Sequence, residues 1–271
     1  MIPVPAAMTG DRDFETSVNL SLRYYKLADV FEEKKNNAKQ LIGYEITKDR
    51  SKFLKNVIKR STEKKDVYAE AFRLRRQQLD QIGDGFPLTT AKRLLFGVGY
   101  SHPLEIGFTF DWTTGLPIIP GSSLKGVARS FGKDKESRDQ LGIDAETLKQ
   151  ILGPDPKEPP HESGRIIFFP AYPCLRPDQA FLELDVMTPH YKEYYDDPSN
   201  PPADWYNPVP LHFLTVPVGV KYCFRLADRH NLAEKETPDN LLGKAMSILK
   251  SALTEHGVGA KTAVDYGYFK E

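Results

Sequence analysis

Along the first third of the chain, apolar residues recur at helical spacing within a polar, Lys- and Glu-rich background. The pattern runs over residues 20–33 and again over 50–82, where Leu54, Val57 and Ile58 are followed by Tyr68, Ala71, Phe72, Leu79 and Ile82. No proline occurs between Pro5 and Pro87. Two or three helices are predicted, forming a helical N-terminal region (1–87) packed on the rest. After Pro87 the texture turns to glycine, β-branched and aromatic residues. Residues 93–99 (RLLFGVG) and 104–112 (LEIGFTFDW) read as strands. In PGSSLKGVARSF, Ser122 or Ser123 suits an N-cap, and Leu124, Val127, Ala128 and Phe131 form one apolar stripe. Lys125 and Arg129, four apart, share a different face beside the helix start.

Residues 144–152 read as a short helix stopped by Gly153 and a proline-rich loop (153–163). Strands are predicted at 165–169 and 180–187. A long irregular insertion at 190–210 carries five prolines and four acidic residues, and residues 209–226 supply one bent strand or two short ones. The last helix has Thr237 as N-cap, Pro238 in its first turn and Gly257 as its stop, with Leu242, Ala245, Met246, Leu249, Ala252 and Leu253 along its stripe. A glycine-rich loop then runs into a final aromatic strand. Without the helical front and the insertions, the order is strand, helix, strand, strand, helix, strand. That order predicts an α+β fold over residues 88–271: a ferredoxin-like (RRM-like) antiparallel sheet with helices on one face and the other face free for a partner.

Charge changes the picture. The 37 basic and 37 acidic residues cancel, which argues against a protein that coats nucleic acid indiscriminately. Residues 48–82, however, carry eleven Lys or Arg against five Asp or Glu, whereas 177–210 carry one against seven, so the neutral total hides two opposed surfaces. The basic face of the front helices reads as solvated. No long apolar stretch or leader pattern is present, and a cytoplasmic protein with no membrane partner is expected. The two cysteines, Cys174 and Cys223, cannot make a disulfide framework or a cysteine zinc site, and buried thiols are expected.

Candidate chemistry is sparse. The segment GVGAKT (257–262) ends like a phosphate-cradling P-loop, but Ala260 separates Gly259 from Lys261 and a helix precedes it where a strand should. What remains is a flexible backbone at Gly257, Gly259 and Gly267, flanked by Lys261, Thr262, Tyr266 and Tyr268. A tight turn and a phosphate contact both stay open. The histidines at 102, 161, 190, 212, 230 and 256 form no HExxH or HxH pattern, and no Gly-x-Ser-x-Gly elbow occurs. Asp111 and Asp185 lie near sheet ends and read as solvated carboxylates. No cofactor is expected.

Three segments, PIIPGSSLKGVARSF, GRIIFFPAYP and the terminal GVGAKTAVDYGYF, together resemble the RAMP superfamily of CRISPR proteins. Their order is similar to that in the family of sixth subunits of the type III-B Cmr effector complex. The resemblance covers about residues 88–271. It implies a non-catalytic subunit that binds CRISPR RNA near the 3′ part of the guide, with other RAMP subunits and target RNA as further partners. The family's glycine-rich loop maps onto Gly257, Gly259, Lys261, Thr262 and Gly267, and its helix-start segment onto Gly121, Ser122, Ser123, Lys125 and Arg129. Loop amides, the helix start and the Lys125/Arg129 stripe would hold phosphates without reading bases, while Tyr266 and Tyr268 stack on nucleotides. Two rivals stand beside this reading: a repeat-processing endoribonuclease of the same fold, with His102 as its acid or base, and a protein-only scaffold whose basic front binds acidic partners.

Overall fold

The computed structural model describes residues 19–26, 28, 30–46, 50–155, 162–176, 179–189, 191–197, 199–202, 205–233 and 240–271. Helix α1 (Leu20–Tyr25) is capped by Asn19, whose side chain accepts a hydrogen bond from the Leu22 amide at 2.9 Å. The predicted helix does not continue to residue 33. Strands β1 (Phe31–Lys35) and β2 (Leu41–Ile46) form an antiparallel hairpin instead. The Asn36 side chain accepts from the amides of Ala38 and Gln40, and Lys39 takes a left-handed conformation (φ 58°). This local turn chemistry outweighs the helical spacing.

Helices α2 (Arg50–Glu63) and α3 (Lys65–Leu79) divide the predicted 50–82 helix at Lys64. They bury Phe53, Leu54, Val57, Tyr68 and Phe72 in the common core and leave most of the basic face exposed. The sheet begins with β3 (Asp84–Thr90). The next two predicted strands are absent as ladders. Residues 93–119 are irregular and form isolated bridges, such as Leu94 to Val216 and Phe110 to Pro117, in place of strand ladders. Their apolar residues (Leu94, Leu95, Phe96, Leu104, Ile106, Phe108 and Phe110) are nevertheless buried. Gly97 (φ 80°) and Glu105 (φ 75°) turn the backbone out of the extended region, so the apolar pattern here reports burial and not sheet pairing.

Helix α4 (Gly121–Lys133) is followed by α5 (Lys135–Gln140) and α6 (Ala145–Leu152), the last capped by Asp144 and ended at Gly153. Strands β4 (Ile166–Phe168), β5 (Tyr172–Pro173) and β6 (Glu183–Met187) follow, then a short helix α7 (Lys192–Asp196) within the acidic insertion and strands β7 (Leu211–Thr215) and β8 (Lys221–Asp228). Helix α8 (Leu241–Ser251) continues as a π-helical turn (Ala252–His256) before β9 (Phe269–Lys270). The cap proposed at Thr237 and Pro238, together with His161 and His190, lies outside the described residues.

The central sheet is antiparallel, in the order β4-β8-β3-β9, with β5 also paired to β8. Helices α4 and α8 pack on one face. Alternate residues of β8, namely Tyr222, Phe224, Leu226 and Asp228, point into that core, and Phe86 stacks on its register partner Phe224 with ring centroids 5.5 Å apart. The helix α3 approaches the opposite face. Phe72 and Leu79 share a cleft there with Pro87 and Cys223, so the N-terminal region reaches the face expected to be free. Asp228 is fully buried and accepts a two-pronged hydrogen bond from Arg165. Strands β6 and β7 make a separate two-stranded sheet against α2.

The cysteines are not thiols. Cys174 and Cys223 form a disulfide, with Cα atoms 6.3 Å apart across 49 residues of chain. The pairing of β5 with β8 sets Tyr172 opposite Cys223 and so brings Cys174 within reach, a proximity that sequence spacing does not reveal.

Candidate nucleic-acid interface

Helix α4 begins directly after Pro120, so Ser122 and Ser123 lie inside its first turn and neither is the N-cap. There is no side-chain cap and no acidic residue in that turn. Gly121 allows the helix start to lie on β4, since a Cβ there would sit 2.1 Å from the Phe168 carbonyl oxygen. Leu124, Ala128 and Phe131 are buried as the stripe predicts, whereas Val127 is only half-buried.

Lys125 and Arg129 have different surroundings. The Arg129 guanidinium donates to the carbonyls of Leu152 at 2.6 Å, Pro154 at 3.1 Å and Gly153 at 3.2 Å, closing the C-terminus of α6. It is committed within the protein, contrary to the expectation of a phosphate contact. Lys125 is half-buried, and among the described residues no carboxylate pairs with it. Its pKa is lowered, first by burial and then by the positive charges of Arg129 and Arg229.

The glycine loop leaves the π-helical turn through a bond from the Gly257 amide to the Ala252 carbonyl. The Val258 amide donates to Gly267, Ala260 to Leu95, and Gly267 to Arg93, at 2.9, 2.8 and 2.7 Å. These amides shape the loop and are not open to a phosphate. Gly259 has φ 103°, and a Cβ there would meet the Leu95 carbonyl oxygen at 2.5 Å; at Gly267 it would meet Val258 at 2.1 Å. Lys261 is left-handed (φ 63°), and its ammonium lies 5.9 Å from the Tyr266 ring centroid.

Tyr266 donates its hydroxyl to Asp185 at 2.6 Å, and Arg93 bridges Asp185 and Glu183 on the β6–β7 hairpin. Burial and then the Asp185 carboxylate push the Tyr266 pKa up to about 12. Tyr266 is therefore a brace for the loop. Tyr268 is half-buried, and its carbonyl accepts from the amides of Ala91 and Lys92.

The two expected solvated carboxylates are neither free nor solvated. The Asp185 side chain is 11% exposed. Asp111 is 12% exposed and accepts from Thr113, Thr114 and Tyr172. Burial alone would raise its pKa, but these hydrogen bonds outweigh it and hold the value at about 2. His102 is buried. Its Nδ1 accepts from the Leu104 amide at 3.1 Å, which leaves the Nε2–H to donate to the Tyr24 carbonyl at 2.8 Å.

An open groove of about 770 Å³ joins three segments: residues 96–100, the Ser123, Gly126, Val127 and Ser130 side of α4, and His256 to Ala260 with Thr262. The structure thus brings together Ser123, Gly257, Gly259 and Thr262 from two distant segments, while Arg129 and Tyr266 turn to structural partners. The sequence reading missed Phe96 to Tyr100, Gly126, Ser130, Arg93 and Arg229. Two signals were present: FGVGY repeats the GVG of the terminal loop, and the small residues Ser123, Gly126 and Ser130 follow helical spacing on a third face of α4.

An antiparallel sheet backed by two helices, with a glycine-rich loop bordering a groove, defines a mixed α/β protein. The same architecture occurs in a chain of the cryo-EM structure of the type III-B Cmr-beta bound to cognate target RNA. That chain is 24% identical, with 83% of this chain and 75% of that one covered and a TM-score of 0.54. The RAMP superfamily model matches residues 87–270, so the chain belongs to the RAMP superfamily. It is also 30% identical over 237 residues to the CRISPR system Cmr subunit Cmr6 of Pyrococcus furiosus, with 67% of this chain and 66% of that protein covered. Over 188 residues it is 30% identical to the Cmr6 subunit of Saccharolobus solfataricus, with 68% and 56% covered. The chain thus spans just under two thirds of the first relative and little more than half of the second. These matches bear out the resemblance read from the three segments. No helix among the described residues is long and apolar enough to cross a membrane.

Proposed function

We propose that this chain is a non-catalytic, CRISPR RNA-holding subunit of a type III-B effector complex, working in the cytoplasm and contacting neighbouring RAMP subunits and the 3′ part of the guide. The observation that carries this reading is the groove in which the start of α4 and the glycine loop converge. Its walls offer small residues and hydroxyls, with Lys125 on another face of the same helix, and these suit a sugar-phosphate backbone of any sequence. The relatives' names and the RNA-bound neighbour support the same assignment. The core is, on this reading, a ferredoxin-like unit: strand β3, helix α4, strands β4 and β8, helix α8 and strand β9 follow the βαββαβ order, and the sheet places them β4-β8-β3-β9.

The burial of His102, with both ring nitrogens engaged, speaks against its use as a general acid or base. A filter-binding assay with single-stranded RNA in EDTA tests the whole reading. The expected result is retention of intact RNA, with Lys125→Ala lowering the slope of log K against log salt by roughly 0.7 for guides of unrelated sequence. Cleavage abolished by His256→Ala, the histidine that lines the groove, would make the chain a nuclease. No retention would make it a scaffold.

A further inference from the structure

Exposed aromatic rings scattered singly are ordinary. Trp205, 76% exposed, and Tyr195, 70%, lie in the acidic insertion, where a polyanion would be repelled. Tyr100 and Trp112 are different. Tyr100 is 54% exposed and lines the groove. Trp112 is 59% exposed, and its ring centroid lies 5.5 Å from that of Tyr25. Tyr25 is itself fixed in the fold. Its hydroxyl donates to the Phe108 carbonyl and accepts from the Phe108 amide, and its ring meets His102 edge-on. Tyr100 packs on the neighbouring backbone, since a Cβ at Gly107, the residue before Phe108, would lie 2.8 Å from the Tyr100 Cβ.

Both exposed rings sit on backbone that is already ordered. The Tyr100 amide donates to the Gly97 carbonyl at 2.9 Å. The Trp112 carbonyl accepts from Asn19 at 2.9 Å, and the following turn is closed by bonds from the Thr113 and Thr114 amides to Asp111. Little further ordering is needed to present the rings. The two acids of this stretch are ion-paired: Glu105 with Arg50 at 2.6 Å and Asp111 with Arg75 at 3.7 Å. Lys26, next in the chain after Tyr25, is exposed.

We propose that Tyr100 and Trp112, exposed near the backbone that Tyr25 ties down, form a stacking platform for unpaired nucleobases of RNA that leaves the groove at its residue 96–100 side. The inference rests on the RNA-holding reading of the groove and extends it: the groove holds backbone, and the platform holds bases through their faces. Such stacking accepts any base, as a guide of variable sequence requires. It also carries no charge, so its loss is separable from the loss of a phosphate contact.

The test uses the full chain with Trp205→Phe, which leaves Trp112 as the remaining tryptophan. Oligo(U), oligo(A) and an abasic oligomer of equal length are titrated while Trp112 emission and filter retention are followed. The platform predicts quenching by both base-bearing oligomers. In the parent chain, Trp112→Leu and Tyr100→Leu should each weaken both by about five-fold or more with an unchanged salt slope. Retained RNA with unchanged Trp112 emission, or equal affinity for the abasic oligomer, overturns the platform and leaves the groove reading intact. Absence of any retained RNA removes the groove reading and the platform with it. Emission that responds only to a purified RAMP partner protein would assign the rings to a protein contact and overturn the proposal.

Discussion

The two walls of the groove are built on opposite principles. On the glycine-loop wall, the backbone is consumed in holding its own shape: the amides of Gly257, Val258, Ala260 and Gly267 all bond to carbonyls of the chain, and Tyr266 is tied to Asp185. On the α4 wall the side chains are small and the first turn carries no cap or acid; Lys125, on another face of the helix, lies near Arg129 and Arg229, and among the described residues no carboxylate pairs with it. The first wall supplies a fixed shape, and the second supplies small side chains and an uncapped helix start. Glycine richness in the loop thus reflects close packing against residues 93–96.

The largest expected effect would test the shape wall. Gly267→Ala adds a Cβ where the Val258 carbonyl oxygen lies at 2.1 Å, at φ 81°. It should cost about 2–4 kcal/mol in a denaturant titration; a loss below about 0.5 kcal/mol would mean that the loop is pliable and the contrast between walls false. Next comes the division within α4. Arg129→Ala removes three hydrogen bonds from a charged donor and should cost about 1.5–3 kcal/mol without changing the salt slope of RNA binding. Lys125→Ala should do the reverse. Equal slope changes in the two variants would return Arg129 to the phosphates.

The smallest effect concerns the loop behind the rim of the groove. His102 is held neutral, its pKa lowered from 6.5 by burial despite the opposing bond to the Tyr24 carbonyl. Between that lowered value and 6.5 the unfolded chain binds more protons than the folded one. Its contribution to stability is therefore fully present above about pH 6.5 and is lost as pH falls from there toward the folded-state pKa. Melting temperatures between pH 7.5 and 5.5 should drop more for the wild type than for His102→Gln, and parallel curves would show that the ring takes up its proton as readily in the fold as in the unfolded chain.

The helices α4 and α8, and strand β8, were legible because one periodic apolar stripe dominates each. The front hairpin was not, since Asn36 and Lys39 act through a turn that periodicity does not register. Residues 93–112 misled for the converse reason: alternating burial without strand pairing looks the same in sequence. At the site, Ser123, Gly257, Gly259 and Thr262 could be named from motifs, but the fate of Arg129 depended on where α6 ends, and that of Tyr266 on a carboxylate 81 residues away. A motif is a local fact; the partners of its side chains are tertiary ones.

The π-helical turn at Ala252–His256 sets the angular phase of everything after it. Each residue of an α-helix turns the chain by about 100°, so one residue accommodated without lengthening the helix proportionately re-aims the segment that leaves it. Deleting a single residue there would leave every glycine of the loop in place and its apolar packing partners unchanged in identity, yet it would swing the loop away from α4. The length of this helix therefore works as an angle, and the groove's glycine-loop wall stands where it does because of one extra residue in the turn before it.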